Sequence, residues 1–200
     1  MDRIIIRLDT SHRAAAISTL AAAFQNDPAI IWMIPDSAAR PRRLARLMGW
    51  MVDEHLANGL VLGTADAGVV TLWRPPGVMH LKEPLWHPAN LRFVPIFGRY
   101  ILRAIALDDA VHAALPCEER WFYLRMAGVQ PERQGKGLGG LAIRAGLAEA
   151  AARGVSSVLE TATPGNVGLY QRLGYEVSSE WDVPGGGPHF WTMASLASTG

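Results

Sequence analysis

The segment Val129-Gln130-Pro131-Glu132-Arg133-Gln134-Gly135-Lys136-Gly137-Leu138-Gly139-Gly140 constrains this chain more than any other. Before it, residues 121–129 are aromatic and apolar, the composition of a buried central strand. Behind it, residues 137–153 read as a helix with Leu138, Leu141, Ala142 and Ala145 turned inward. A strand that runs into glycines which then open a helix makes an anion site. The first-turn N–H groups lack intrahelical partners, and the helix dipole favours negative charge there. Glycines let the backbone approach a ligand and take positive φ. Lys136 and Arg133 add charge nearby.

The remaining elements alternate between helix and strand. Residues 3–8 read as a short edge strand. Ile17, Leu20, Ala21 and Phe24 recur at helical spacing, so residues 11–24 form a helix capped near Thr10 or Ser11 and broken by Asn26-Asp27-Pro28. Leu44, Leu47, Met48, Met51, Val52 and His55 mark a second helix from about Arg40 to Asn58. Strands at 61–63 and 69–73 pair across Asp66-Ala67-Gly68. Residues 78–117, punctuated by Pro84, Pro88 and Pro95, hold one or two helices. A strand at 155–160, a short helix at 166–173 and strands at 175–183 and 189–194 complete the order. The pattern predicts one α/β (α+β) domain over residues 1–200, with a mixed sheet flanked by helices.

Gly135, Gly137 and Gly140 satisfy the dinucleotide fingerprint G-x-G-x-x-G, and Glu160 lies twenty residues past Gly140, where a ribose-binding acid belongs. Two features oppose a nicotinamide cofactor. Residues 131–134 separate the strand from the first glycine, and only 40 residues follow Glu160, ending in a hairpin rather than further βαβ units. A P-loop fails because Gly137 stands where Ser or Thr would hold magnesium.

The spacing of Gln134, Gly137 and Gly139 resembles the coenzyme A motif of the GNAT superfamily of N-acetyltransferases. Asn166-Val167-Gly168-Leu169-Tyr170-Gln171-Arg172-Leu173-Gly174-Tyr175, about 30 residues on, is similar to the family's second signature. Residues 24–36, Leu72-Trp73-Arg74-Pro75-Pro76 and Trp191-Thr192-Met193 look like the puromycin N-acetyltransferase-like branch, where Trp-Leu-Pro-Pro often stands in place of Trp73-Arg74-Pro75-Pro76. Arg74 therefore either alters the acceptor pocket or points to solvent.

The resemblance implies a mostly antiparallel sheet of about seven strands, splayed at the coenzyme site. It implies an acceptor-side half (1–120) and an acetyl-CoA-binding half (121–200). Met126, Ala127, Gly128 and Val129 pair with the pantetheine arm, and an N–H near Ala127 faces the thioester oxygen. Gln134, Gly135, Lys136, Gly137, Leu138 and Gly139 hold the pyrophosphate, and Asn166 either contacts the coenzyme or caps its helix. Tyr170 is the general acid for the departing thiolate, or else a core tyrosine. Glu160 is the first candidate base, with Asp27 and His80 next; a structural hydrogen bond or an already neutral acceptor would serve equally. Cys117 could carry an acetyl group but has no evident local base.

The implied activity is transfer of acetyl from acetyl-CoA, as co-substrate and without metal, to a primary amine of a small molecule in a ternary complex. A non-catalytic acetyl-CoA sensor and an NAD(P)-binding oxidoreductase are the alternatives. A net charge of +1 predicts neither nucleic-acid nor membrane binding. A single cysteine and no leader pattern fit a cytoplasmic monomer or homodimer. Arg92, Arg99 and Arg103, at offsets of seven and four, read as the solvated face of one helix, and Arg40, Arg42, Arg43 and Arg46 as another. Among Trp32, Trp73, Trp86, Trp121 and Trp191, some line an apolar acceptor pocket and most are core.

Overall fold

In the computed structural model, which describes residues 3–80, 87–117 and 120–197, the aromatic strand of the sequence is the centre of a seven-stranded sheet. In chain order the elements are β1 (Ile6–Arg7), α1 (Arg13–Ala23), α2 (Pro28–Met33), α3 (Arg40–Asn58), β2 (Leu60–Gly63), β3 (Val69–Arg74), α4 (Val94–Phe97), α5 (Ile101–Ala114), β4 (Trp121–Val129), α6 (Leu138–Ala152), β5 (Ser156–Thr161), α7 (Pro164–Gln171), β6 (Glu176–Asp182) and β7 (His189–Ser195). The strands lie in the order β1-β2-β3-β4-β5-β7-β6, and every pairing is antiparallel except β4–β5. The single β4–α6–β5 crossover supplies that parallel pair. This is not the doubly wound parallel sheet that a dinucleotide fold requires, so the rival reading of the glycines fails on topology.

Side-chain alternation along the strands divides the core in two. Val61, Val70, Leu72 and Met126 pack with Leu20 of α1 and with Leu44 and Met48 of α3. Leu60, Leu62, Trp73, Phe122 and Leu124 face the other way, onto Ile143 and Ala150 of α6. The stripe predicted for residues 40–58 is the buried face of α3, His55 included. On α6 the stripe is rotated from the predicted one. Leu138, Ala142, Ile143, Gly146 and Ala150 are buried, while Leu141 is exposed. The rotation brings Gly146 against the Trp73 indole, where a Cβ would stand 2.0 Å from Cζ2.

Several local expectations are corrected. The edge strand shrinks to two residues, and Asp9 rather than Thr10 or Ser11 caps the turn leading into α1. The first helix ends at Ala23 with Phe24 as its C-cap, and Asp27 starts α2, absent from the sequence reading, by accepting from the N–H groups of Ala29 and Ile30. Arg40 is no solvated residue; its guanidinium donates to the carbonyls of Ile34 and Pro35 at 2.8 and 3.0 Å. Residues 88–114 are two 3-10 turns interleaved with α4 and α5, so Arg92, Arg99 and Arg103 share no helix face. Those arginines lie over the rings of Trp50, Tyr100 and Trp32 respectively. Pro84 and Trp86 fall outside the described residues.

Candidate active site

The feature that organises the site is an interrupted strand pair. β4 pairs with β3 from Tyr123↔Arg74 to Val129↔Val69, but its pairing with β5 stops at Leu124↔Leu159. A register shift opposite Leu72 and Trp73 leaves Arg125 as the extra residue on β4. On its other edge β5 stays paired with β7 from Ser157↔Ser195 through Thr161↔Trp191, so only the β4 side opens. The chain from Met126 to Val129 therefore presents one backbone edge with no partner strand among the described residues, the predicted splay. Gly128 serves packing as well, because a Cβ there would meet Leu20 of α1 at 2.9 Å.

The glycine loop lies at the end of this edge. Gly135 and Gly137 have φ of +74° and +80°, and Gly137 is the N-cap of α6. Both conformations suit glycine and are costly for other residues. A Cβ at Gly135 would meet nothing within 4 Å, so the loop's outer surface is open. Leu141 N–H bonds the Gly137 carbonyl at 3.1 Å, and the N–H groups of Leu138, Gly139 and Gly140 precede that first helical bond. Gln134 folds back to donate to the Val129 carbonyl at 3.1 Å, which fixes the turn. The flanking cations both have partners close to the loop. Arg133 pairs with Asp66 of the β2–β3 turn at 2.6 Å, and Lys136 Nζ donates to the Glu132 carbonyl. The loop itself offers an anion the first-turn backbone donors and the dipole of α6.

Beside the splay, between the sheet and α2–α5, is a cavity of about 500 Å³. Met126, Ala127, Glu160, Asn166 and Tyr170 all line it. Strand register explains its charged floor. Arg74 stands opposite Tyr123, and Tyr123 opposite Val158; Arg125 and Glu160 lie two residues further along their strands, on the same face. Glu54 of α3 reaches Arg74 at 3.3 Å, and Asp108 of α5 reaches Arg125 at 3.7 Å. Arg125 Nη1 donates to the Tyr123 hydroxyl at 3.0 Å, and that hydroxyl donates to Glu160 Oε1. Arg74 is buried, donates to the Met79 carbonyl and does not point to solvent.

The electrostatics separate these carboxyls. Burial pushes Glu160 up to about 7, although Arg125, the Tyr123 hydrogen bond and Arg74 pull against it. Burial also acts to raise Glu54, but its hydrogen bond to His55 and the Arg74 charge prevail and hold it below the usual carboxylate range. Burial, followed by the charges of Glu160 and Asp27, raises the Tyr170 phenol, which stays protonated at neutral pH. Asp27 is raised by burial, though its Oδ1 is committed to capping α2.

The other candidates sort by position. His80 is exposed and bonded to the Pro116 carbonyl, away from the cavity lining, and Cys117 is exposed. Neither joins the cluster. Asn166 is not the N-cap of its helix; Thr163 holds that position, and Asn166 N–H bonds the Thr163 carbonyl at 2.9 Å. The sequence reading missed Tyr123, Arg125, Glu54 and Asp108. Tyr123 and Arg125 sit at alternate positions of a strand that reads as core, and Glu54 and Asp108 read as helix-surface acids. Among the described residues no cluster of metal-ligating side chains occurs, and no helix is long and apolar enough to cross a membrane.

Residues 70–175 match the model of the Acetyltransferase (GNAT) family, from β3 to the end of the second signature. The chain belongs to the GNAT acetyltransferase family. Its fold is similar to that of a Corynebacterium glutamicum protein described as histone acetyltransferase HPA2 and related acetyltransferase, at a TM-score of 0.71 and 20% identity over 98% of this chain and 97% of that one. It is similar to a GNAT family acetyltransferase from Brucella melitensis in complex with acetyl-CoA (TM-score 0.51, 20% identity, 96% and 86% covered). It is also similar to arylalkylamine N-acetyltransferase 2 from Aedes aegypti (TM-score 0.63, 12% identity, 97% and 98% covered). Acetyl-CoA is the co-substrate of this GNAT protein. The open surface at Gly135 and the first-turn donors of α6 fit the anionic part of such a molecule.

Proposed function

We propose that this GNAT protein transfers acetyl from acetyl-CoA to a primary amine of a small molecule, by direct attack in a ternary complex. The observation that carries the reading is one cavity wall. The unpaired edge of β4, a carboxyl with a pKa near 7 at Glu160 and a protonated phenol at Tyr170 all line the same 500 Å³ space. That size suits a small ligand rather than a macromolecular surface. The resemblance of residues 24–36, 70–77 and 191–193 to the puromycin N-acetyltransferase-like branch supports a small-molecule acceptor too. A cytoplasmic location goes with a chain that has one cysteine.

In this reading residues 121–200 hold the coenzyme and residues 1–120 shape the acceptor side. Gln134–Gly139 bind the pyrophosphate, and Met126–Val129 offer the β4 edge to the pantetheine amides. An N–H near Ala127 stabilises the charge that develops on the thioester oxygen. Glu160 Oε2 takes a proton from the acceptor ammonium, freeing the nitrogen pair. That nitrogen forms the new bond to the acetyl carbon as the carbon–sulfur bond breaks. Tyr170 gives the departing sulfur a proton, the second proton lost by the nitrogen returns to the Tyr170 phenolate, and Glu160 releases its proton to solvent.

The test is thermal-shift screening with acetyl-CoA, CoA and NAD(P), followed by free-thiol release with a panel of amines. Stabilisation by acetyl-CoA together with amine-dependent thiol release is expected. Stabilisation without release by any amine would leave a sensor as the better description.

A further inference from the structure

The cavity wall restricts the acceptor further than "primary amine". Met33, Met48, Met51 and Met126 line it, and Trp50 and Phe93 meet edge to face at 4.9 Å on one side. Such a wall takes an apolar body, and methionine adapts to its outline. The charged groups of the floor are largely committed to one another, Glu54 with Arg74, Asp108 with Arg125, Tyr123 with Glu160, and Asp27 with the start of α2, while Asn58, Asn90, Thr161 and Asn166 add uncharged polar groups to the lining. Three buried carboxylate oxygens, both of Glu54 and Oε2 of Glu160, have no hydrogen-bond partner among the described residues, and of these Glu54 Oε2 is ion-paired with His55 and Arg74. A buried acceptor atom of this kind calls for a donor.

A polyhydroxylated or polycationic molecule brings many donors. This wall would strip their water and leave most of them unpaired, at a cost for each group. An amine whose only donors are at one end has no such penalty. We propose that the acceptor is a monoamine with an apolar, ring-sized body, lodged amine-first with its nitrogen over the charged floor and its body among the methionines and aromatics. The inference rests on acetyl transfer to a small-molecule amine and narrows that reading to one substrate class.

The experiment compares kcat/KM, by thiol release at saturating acetyl-CoA, for an arylalkyl monoamine, a linear polyamine, an aminoglycoside and a free amino acid. Calorimetric binding of the same four compounds to the acetyl-CoA-free protein runs alongside. The arylalkyl monoamine should lead each of the others by about tenfold or more, and bind most tightly. Phe93→Ala should raise its KM with little change in the KM for acetyl-CoA. A preferred polyamine, aminoglycoside or amino acid overturns the inference and leaves acetyl transfer standing. Monoamine binding with no thiol release from any compound keeps the cavity assignment and removes the catalytic reading. Absence of both binding and release removes both.

Discussion

The Tyr123 hydroxyl donates to Glu160 Oε1 across the β4–β5 pair while accepting from Arg125 at 3.0 Å. One carboxylate oxygen is thereby fixed, and the other has no hydrogen-bond partner among the described residues. The same arrangement links the basicity of Glu160 to a strand that otherwise reads as core.

Tyr123→Phe removes a hydrogen bond that lowers the Glu160 pKa, so the carboxyl should titrate higher still. A hydrogen bond to a charged group contributes about 1.5–3 kcal/mol, and one pH unit corresponds to about 1.4 kcal/mol. The acidic limb of kcat/KM against pH should therefore move up by about one to two units. A loss of rate with no movement of that limb would make Tyr123 a packing residue only.

For the wild-type protein, kcat/KM should rise with pH through about 7 as Glu160 loses its proton. Glu160→Gln should flatten that rise. Stability carries the opposite sign. A carboxyl raised from 4.5 to about 7 binds more proton in the folded than in the unfolded state between those values. Its contribution is present at low pH and is lost as pH rises through 7, by up to about 1.4 kcal/mol per unit. Relative to Glu160→Gln, the wild type should lose Tm between pH 5 and pH 8.

Tyr170→Phe should reduce kcat about 100-fold or more, the scale of a general acid. The calorimetric Kd for acetyl-CoA should stay near the wild-type value, because the ring remains packed against Tyr175. Equal kcat in the two proteins would return Tyr170 to the core.

Gly146→Ala tests the fold rather than the chemistry. The new methyl would stand 2.0 Å from the buried Trp73 ring, so α6 must shift off β3. A loss of about 1–3 kcal/mol or more is expected in urea unfolding. Gly137→Ala should cost less, about 1–2 kcal/mol for the left-handed conformation. It should weaken acetyl-CoA binding as well, since φ at this N-cap aims the first turn of α6.

The elements around the glycine loop were legible because periodicity and glycine both report local geometry. β4, α6 and the stripe of α3 follow directly from spacing, and the splay was expected where β4 meets the loop. The charged floor was not legible. It depends on register between strands far apart in sequence, Arg74 with Tyr123 and Tyr123 with Val158. No spacing rule within one strand shows which face a neighbour brings. The ion pair of Arg133 was hidden for a related reason. Charge beside a loop is visible in sequence, whereas Asp66, which claims Arg133, comes from a turn 67 residues away. Asn166 reads as a cap because asparagine favours that position, but Pro164 starts α7 two residues earlier.

The most direct measurement pairs two readouts in one reaction. Wild-type protein with acetyl-CoA and an arylalkyl monoamine should release free CoA thiol and form acetylated amine in equal amounts, by thiol titration and mass spectrometry. Tyr170→Phe should slow both together. Thiol release that does not depend on the amine, or no release at all from acetyl-CoA-loaded protein across the amine panel, would contradict acetyl transfer at this site.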